Sequence, residues 1–244
     1  MSNTINWEWV SSIGSAEVKK RTYSIIQKLS PDYWLEIDIK EYKDAYEKNK
    51  TWIDLLTVLN WYAYTFKPKY YLEIGVRRGR SMAQVLVESP DTTAFGFDIW
   101  LPNYGSDVEK GIKVKNPGRD FVLKEFRNLG VSKEPTLIDG ASQKTLGRFI
   151  HNPDYPREIN LITVDGDHTY LGAKVDLINA FLLLAPGGAL VFDDINHPSH
   201  MELGGLWEEF KAKYPDYLFI QDSYIRGIGV AFKPPFDYLF ELDK

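Results

Sequence analysis

The sequence has no cysteine among its 244 residues. That absence excludes disulfides, thiolate zinc sites, iron–sulfur clusters and cysteine nucleophiles, and leaves any metal to oxygen and imidazole ligands. Long apolar runs are missing too. The longest, near Ala180–Leu190, is broken by Pro186-Gly187-Gly188 and is far too short to span a bilayer. The start, MSNTINWEWVSS, lacks the basic and apolar regions of a signal peptide, so a soluble, cytoplasmic protein with no membrane partner is expected. Positive charge is in deficit, 29 Lys+Arg against 34 Asp+Glu for a net charge of −5, which argues against nucleic acid as a partner. No repeat, low-complexity tract or long linker divides the chain. With 44% hydrophobic residues the composition is that of a globular protein rather than a disordered one.

The first 66 residues read as helical and rich in aromatics. Ser15–Leu29 places Val18, Tyr23, Ile26 and Leu29 at roughly helical spacing, and Thr51–Phe66 does the same with Ile53, Leu56, Leu59 and Trp61. Lys67-Pro68 then stops the second helix. Beyond it, short apolar runs alternate with helical segments. Strands are expected at Tyr70–Ile74, Ala94–Phe97, Thr136–Ile138, Ile159–Val164 and Ala189–Phe192. Helices are expected at Ser81–Glu88, Arg119–Leu129, Lys144–Ile150 and Leu171–Leu184. This alternation predicts an α/β fold with a mainly parallel sheet covered on both faces. Tyr217–Gln221 and Gly227–Phe232 suit an antiparallel hairpin at its end.

The acids fall in a pattern. Asp98, Asp139, Asp165 and the pair Asp193-Asp194 each follow a strand directly, and Glu73 lies near the end of the first. In a parallel sheet these positions share one rim, where open α/β folds bind ligands. Capping a helix or turn accounts for any one of these acids, but poorly for acids at all five strand ends. Between Asp98 and Asp139 an excess loop, Leu101–Gly118, is expected to reach over the site as a lid or substrate loop.

The first strand runs into YLEIGVRRGRS, with Gly75 and Gly79 before a helix. Glycines there permit a tight turn or let a ligand approach the backbone at a helix N-terminus. Neither the dinucleotide pattern G-x-G-x-x-G nor the phosphate-loop G-K-[ST] is present. Asp98, at the end of the second strand, is placed to accept hydrogen bonds from ribose hydroxyls. Together the two features point to a nucleoside cofactor other than NAD.

LEIGVRRGRS, FDIW, LIDGAS, LITVDGDHTY and PGGALVFDD, in this order, resemble the motifs of class I S-adenosylmethionine-dependent methyltransferases. The nearest likeness is to bacterial metal-dependent sugar and macrolide O-methyltransferases and cephalosporin hydroxylase-type proteins, over about Thr51–Pro235. The resemblance implies a Rossmann-like, mainly parallel seven-stranded sheet with a closing antiparallel hairpin. It also implies two regions: a helical N-terminal extension or cap over 1–50 and an S-adenosylmethionine-binding domain over 51–244. Carried over residue by residue, Glu73, Gly75, Gly79 and Ser81 line the methionine and ribose part of the cofactor. Asp98 holds the ribose hydroxyls. Gly140 and Ser142 flank the adenine with Asp139 as a further contributor, and Asp165 belongs to both the cofactor-binding and the catalytic residues. Trp100 either packs near the nucleoside or belongs to the core.

VDGDHTY and VFDD end adjacent strands, so Asp165, Asp193 and Asp194 are expected to converge. Three hard carboxylates suit a divalent ion, magnesium first, or calcium or manganese. Related metal-dependent O-methyltransferases carry an acid at the end of strand four and an acidic pair, or Asp-Asn, at the end of strand five, and this sequence matches at all three positions. Such an ion, chelated by neighbouring acceptor oxygens, lowers a hydroxyl pKa and orients the oxygen. By type and place His168 is the best general base, and the resembled sugar enzymes have a histidine there. Its plainer alternative is bracing the metal loop. His197 and His200 read as solvated loop residues, with substituting for it or contacting substrate as the alternatives, His151 reads as a turn residue, and Asp167 as a support behind the ligands. Arg77, Arg78 and Arg80 read as a solvated helix start, with an acidic substrate or the cofactor carboxylate as the alternative. Trp7, Trp9, Tyr33 and Trp34 either cap a substrate pocket or pack in the core or a dimer.

The leading expectation is an O-methyltransferase acting on a hydroxylated small molecule, a sugar or a natural product. A second reading keeps the fold but targets nucleic acid or protein. Amino-methylating enzymes of this fold commonly carry [DN]-P-P-[YF] at the fourth strand, where this chain has Asp165-Gly166-Asp167-His168. Its lookalike, Lys233-Pro234-Pro235-Phe236, follows the last strand. A third is a non-catalytic nucleoside or metal-binding module. Oligomeric state is not written in the pattern, although the aromatic N-terminal segment offers a contact surface for a homo-oligomer.

Overall fold

The computed structural model describes residues 11–103 and 112–235. Trp7, Trp9, Phe236 and positions 104–111 of the expected loop lie outside them. The helices α1 (Ala16–Ile26), α2 (Tyr33–Glu47) and α3 (Leu55–Phe66) precede the sheet. Each begins where a side-chain oxygen takes an unpaired backbone N–H of the first turn. Ser15 accepts from Val18, Asp32 from Leu35 and Asp54 from Thr57, whose own hydroxyl accepts the Asp54 N–H to complete a capping box. Lys67 ends α3 in the left-handed conformation with Pro68 behind it.

Strands and helices then alternate: β1 (Tyr70–Ile74), α4 (Arg80–Glu88), β2 (Thr93–Asp98), α5 (Arg119–Asn128), β3 (Thr136–Asp139), α6 (Ser142–His151), β4 (Ile159–Val164), α7 (Tyr170–Leu183) and β5 (Leu184–Asp193). The chain continues through α8 (Glu202–Lys213), β6 (Leu218–Asp222) and β7 (Ile228–Phe232). One seven-stranded sheet results, in the order β3-β2-β1-β4-β5-β7-β6. Its first five strands are parallel and the final hairpin antiparallel, as the apolar pattern predicts. The sequence pattern marks no element over α8. Gly204 and Gly205 weaken its helical signal, yet a Cβ at Gly204 would lie 2.6 Å from the Ile195 carbonyl, so the close approach of the loop after β5 requires glycine.

Alternation along the strands splits the core in two. On one face Tyr71, Ala94, Leu161 and Val191 pack with Ile13, Val18, Leu59, Met82 and Phe126, from the N-terminal helices, α4 and α5. On the other, Leu72, Phe97, Val164 and Phe192 meet Leu146, Leu177 and Trp207 from α6, α7 and α8. The N-terminal helices thus share a hydrophobic core with the sheet. No described helix is long and apolar enough to cross a membrane.

Tyr71 and Glu73, two apart in β1, point to the same face. Glu73 is fully buried there and accepts hydrogen bonds from the hydroxyls of Tyr71 (2.7 Å) and Ser81. Burial pushes its carboxyl up to about 8 despite these two donors. The folded protein therefore holds a proton on Glu73 that the unfolded chain, at an ordinary pKa of about 4.3, releases. Stability tied to this group is fully present below about pH 4 and declines as pH rises toward 8. Glu73→Gln keeps the shape and removes the titration. Urea denaturation is expected to show the variant more stable than the parent at pH 8 and equal to it near pH 4. Parallel curves at both pH values would show Glu73 to be ionised in the fold.

Candidate active site

Parallel register levels the strand ends. Ile74 pairs with both Phe97 and Val164, Asp98 with Asp139, and Val164 with Phe192, so Gly75, Asp98, Asp139, Asp165 and Asp193 share one rim. Strand order reverses between β1 and β4, and a crevice opens at such a point. Gly75 sits there with φ +94°, and a Cβ on it would fall 1.8 Å from the Asp165 carbonyl. Gly79 (φ +75°) starts α4 without a side-chain cap, and Phe126 packs where its Cβ would be.

A cleft of about 400 Å³ lies on one side of this point, lined by Asp98, Ile99, Leu101, Gly140 and Ser142 and reaching Asp165, His168 and Asp194. Asp98 is fixed by backbone N–H groups: Arg77 donates to Oδ2 at 2.6 Å and Trp100 donates to Oδ1. Both donors are non-glycine residues at positive φ, 49° and 55°, a conformation that aims their amides at the carboxylate. Burial pushes the Asp98 carboxyl up while these bonds pull it down. Ile99 and Leu101 stand exposed at the mouth. A fixed carboxylate beside uncovered apolar side chains matches a nucleoside, whose ribose needs an acceptor and whose base needs an apolar cover. The fit to the cofactor implied by the fold is therefore good at this end.

Asp139, more than half exposed, accepts the Trp100 indole N–H at 2.9 Å and pairs with Arg119 at 3.5 Å, outside the cleft lining. Glu73 also lies outside that lining, buried and hydrogen-bonded by Ser81 at the start of α4.

At the far end, Asp165, His168 and Asp194 each offer one ligand atom within 4.8 Å of the others. His168 Nε2 is 3.2 Å from Asp165 Oδ1, and Nδ1 is 3.6 Å from Asp194 Oδ2. Asp194 is buried with φ +62°, and its Oδ1 has no hydrogen-bond partner among the described residues. Burial, then the Asp165 charge, pushes its carboxyl up to about 6. Burial alone would lower the His168 pKa, but its hydrogen bond with Asp165 and the charges of Asp165 and Asp194 raise it above 6.5. Burial and the same two acids drive Asp193 well above the carboxylate range. Asp193 lines the cleft but is not part of the close group; the third member is His168. The orphaned buried oxygen of Asp194, with the Asp165 carboxylate close by, fits a hard divalent cation. His200 stacks edge-on against His168 at 4.7 Å and adjoins His197.

A second cleft, about 300 Å³, shares Gly75, Arg77, Asp165, Asp193 and Arg226 with the first and is walled by Trp34, Asp38 and Tyr224. Here two residues of the arginine cluster depart from the expected solvated surface. Arg78 and Arg80 keep only 11% and 14% of their side chains exposed, and both grip Asp32, Arg78 through Nε at 2.9 Å. Arg80 also reaches Asp38 at 3.1 Å. Asp32 simultaneously caps α2, so one carboxylate ties the N-terminal helices to the glycine loop. Neither Asp32 nor Arg226 carried any motif, because their partners are distant in sequence.

Burial raises the Asp32 pKa, but Arg80, the Leu35 amide and Arg78 outweigh it and hold the carboxyl below its usual range. The contribution is full above about pH 4 and is lost only as pH falls through the depressed value. Asp32→Ala removes a cap and leaves two largely buried guanidinium groups unpaired. A loss of about 2–4 kcal/mol, equal at pH 6 and pH 8, is expected by urea denaturation. A loss under about 0.5 kcal/mol would place the pair with weak surface bridges.

The family model for the methyltransferase domain matches residues 72–195, half of the chain and all of the rim described above. Comparison with curated proteins gives no match. Among solved structures, the O-methyltransferase TomG from Streptomyces achromogenes, involved in tomaymycin synthesis and in complex with S-adenosylmethionine, is 14% identical. The match covers 95% of this chain and 100% of that one, with a TM-score of 0.57. The O-methyltransferase from Bacillus cereus, in complex with S-adenosylhomocysteine, is 14% identical over 84% of this chain and 93% of its own, with a TM-score of 0.55. The Podospora anserina methyltransferase PaMTH1, bound to S-adenosylhomocysteine, is 15% identical over 90% and 88%, at 0.51. At such identities these likenesses establish the fold, and the family match adds the rest: the chain belongs to the methyltransferase-domain family, as a class I S-adenosylmethionine-dependent methyltransferase.

Proposed function

We propose that this enzyme methylates a hydroxyl oxygen of a small molecule, a sugar or a natural product, with a divalent metal ion, magnesium first, at the end of β4 and β5. The observation that carries the reading is the convergence of Asp165, His168 and Asp194 beside the cleft, with Asp194 Oδ1 buried and unpartnered. The likeness to O-methyltransferases such as TomG supports an oxygen acceptor.

In this reading Asp98 holds the ribose hydroxyls, Gly140 and Ser142 border the adenine, and Gly75 and Asp165 border the methionine end. Ser81 and Gly79 shape the loop, with Glu73 bracing Ser81 from below and Asp139 bracing the rim through Trp100. Asp165 and Asp194 hold the ion, with Asp193 adjacent. When bound, the ion supplies acidification of the acceptor hydroxyl and a fixed position for its oxygen. Methyl transfer makes a C–O bond, breaks the C–S bond and releases the hydroxyl proton. His168, beside both carboxylates at the cleft edge, is the group placed to take that proton.

Calorimetry is expected to detect S-adenosylmethionine binding to the parent protein. Asp98→Ala should weaken it by about tenfold or more, the worth of hydrogen bonds to a charged acceptor. No binding at millimolar cofactor, or unchanged affinity in the variant, contradicts the nucleoside assignment. Once an acceptor is in hand, chelation with EDTA and Asp194→Ala should each abolish turnover while leaving cofactor affinity within a few-fold. His168→Ala should lower kcat by about 10²–10⁴. Full activity in EDTA rules out the metal role, and full activity of the histidine variant rules out the base.

A further inference from the structure

The two clefts meet at Arg226, on the turn between β6 and β7. This turn is firmly built. Its Gly227 N–H bonds the Tyr224 carbonyl at 3.0 Å, and Asn196, from the loop after β5, bonds both the Arg226 carbonyl (2.7 Å) and the Ser223 carbonyl (3.0 Å). Tyr224 stacks on Trp52 with ring centroids 4.7 Å apart and planes within 7°. The guanidinium itself lies over the Trp34 ring at 5.7 Å. The side chain is exposed, and among the described residues it makes no ion pair or hydrogen bond.

That isolation is informative because carboxylates surround it. Its charge reaches Asp38, Glu41, Asp193 and Asp194, in each case offsetting part of the upward push of burial. Yet none of them comes within ion-pairing distance, in contrast to Arg78 and Arg80 in the same cleft, which are closely paired. The guanidinium therefore keeps its forked donor set turned to open cleft, a geometry that matches the two oxygens of a carboxylate or phosphate. It does so beside the acids that would hold the acceptor hydroxyl.

We propose that Arg226 determines acceptor specificity by binding an oxyanion, carboxylate or phosphate, of a hydroxylated acidic small molecule whose hydroxyl faces Asp165 and Asp194. The inference rests on the O-methylation reading above and narrows its substrate class. Trp34 in this arrangement orients the guanidinium plane, and the turn's bonds to Asn196 set its distance from the acidic pair.

The test is binding calorimetry on the full chain with S-adenosylhomocysteine and magnesium, using matched probes: protocatechuate against catechol, and glucuronate and glucose 6-phosphate against glucose. At least one acidic probe should bind the parent about tenfold tighter than its neutral counterpart. R226Q should abolish that preference without changing S-adenosylhomocysteine affinity, and R226K should restore it in part. Glucuronate against glucose 6-phosphate shows which oxyanion is preferred. Equal binding of acidic and neutral probes, no binding of any acidic probe, or a preference that survives R226Q overturns the proposal. Replacing S-adenosylhomocysteine by S-adenosylmethionine and analysing products separates the two ideas. An acid held through Arg226 but never methylated refutes O-transfer and leaves the oxyanion site standing.

Discussion

The site depends on how closely the ends of β1 and β4 approach. Gly75 and Asp165 leave no room for a Cβ between them, and the Asp165 N–H bonds the Ile74 carbonyl at 2.9 Å. This contact levels the rim and opens the crevice, and both clefts are lined by its two residues. A side chain at position 75 would force the strand ends apart and move Asp165 away from His168 and Asp194.

Charge is the second constraint. Asp165, Asp193 and Asp194 lie within mutual reach, and desolvation with mutual repulsion raises the pKa values of the last two. Folding tolerates this because protons, His168 and Arg226 offset the charge. In the proposed enzyme a dication takes the place of those protons and a bound oxyanion pairs with Arg226, so the affinity of the site for the ion and the cost of its acids have one origin. The N-terminal helices resolve their electrostatics differently, by closing Asp32 on Arg78 and Arg80 at short range.

The sheet, its parallel order and its closing hairpin were legible because period and punctuation are local. Asp98, Asp165 and Asp194 were legible for the same reason, each directly ending a strand. What could not be read depended on contacts distant in sequence. Arg78 and Arg80 resemble surface residues until Asp32 is folded onto them. Glu73 carries a motif position yet is buried, because alternation in β1 turns it toward α4 rather than the cleft. Asp139 and Asp193 occupy the expected rim, but one is engaged by Trp100 and Arg119 and the other stands just outside the close group. Helix α8 was hidden by two glycines, one of which the neighbouring loop requires.

In the proposed enzyme one rim holds the nucleoside at Asp98 and a cation at Asp165 and Asp194. A crystal structure grown with S-adenosylhomocysteine and manganese, with anomalous data at the manganese edge, tests it most directly. The expected result is ribose hydroxyls on the Asp98 carboxylate and an anomalous peak bounded by Asp165 and Asp194. A nucleoside bound elsewhere, or a site without a peak at saturating manganese, would contradict it.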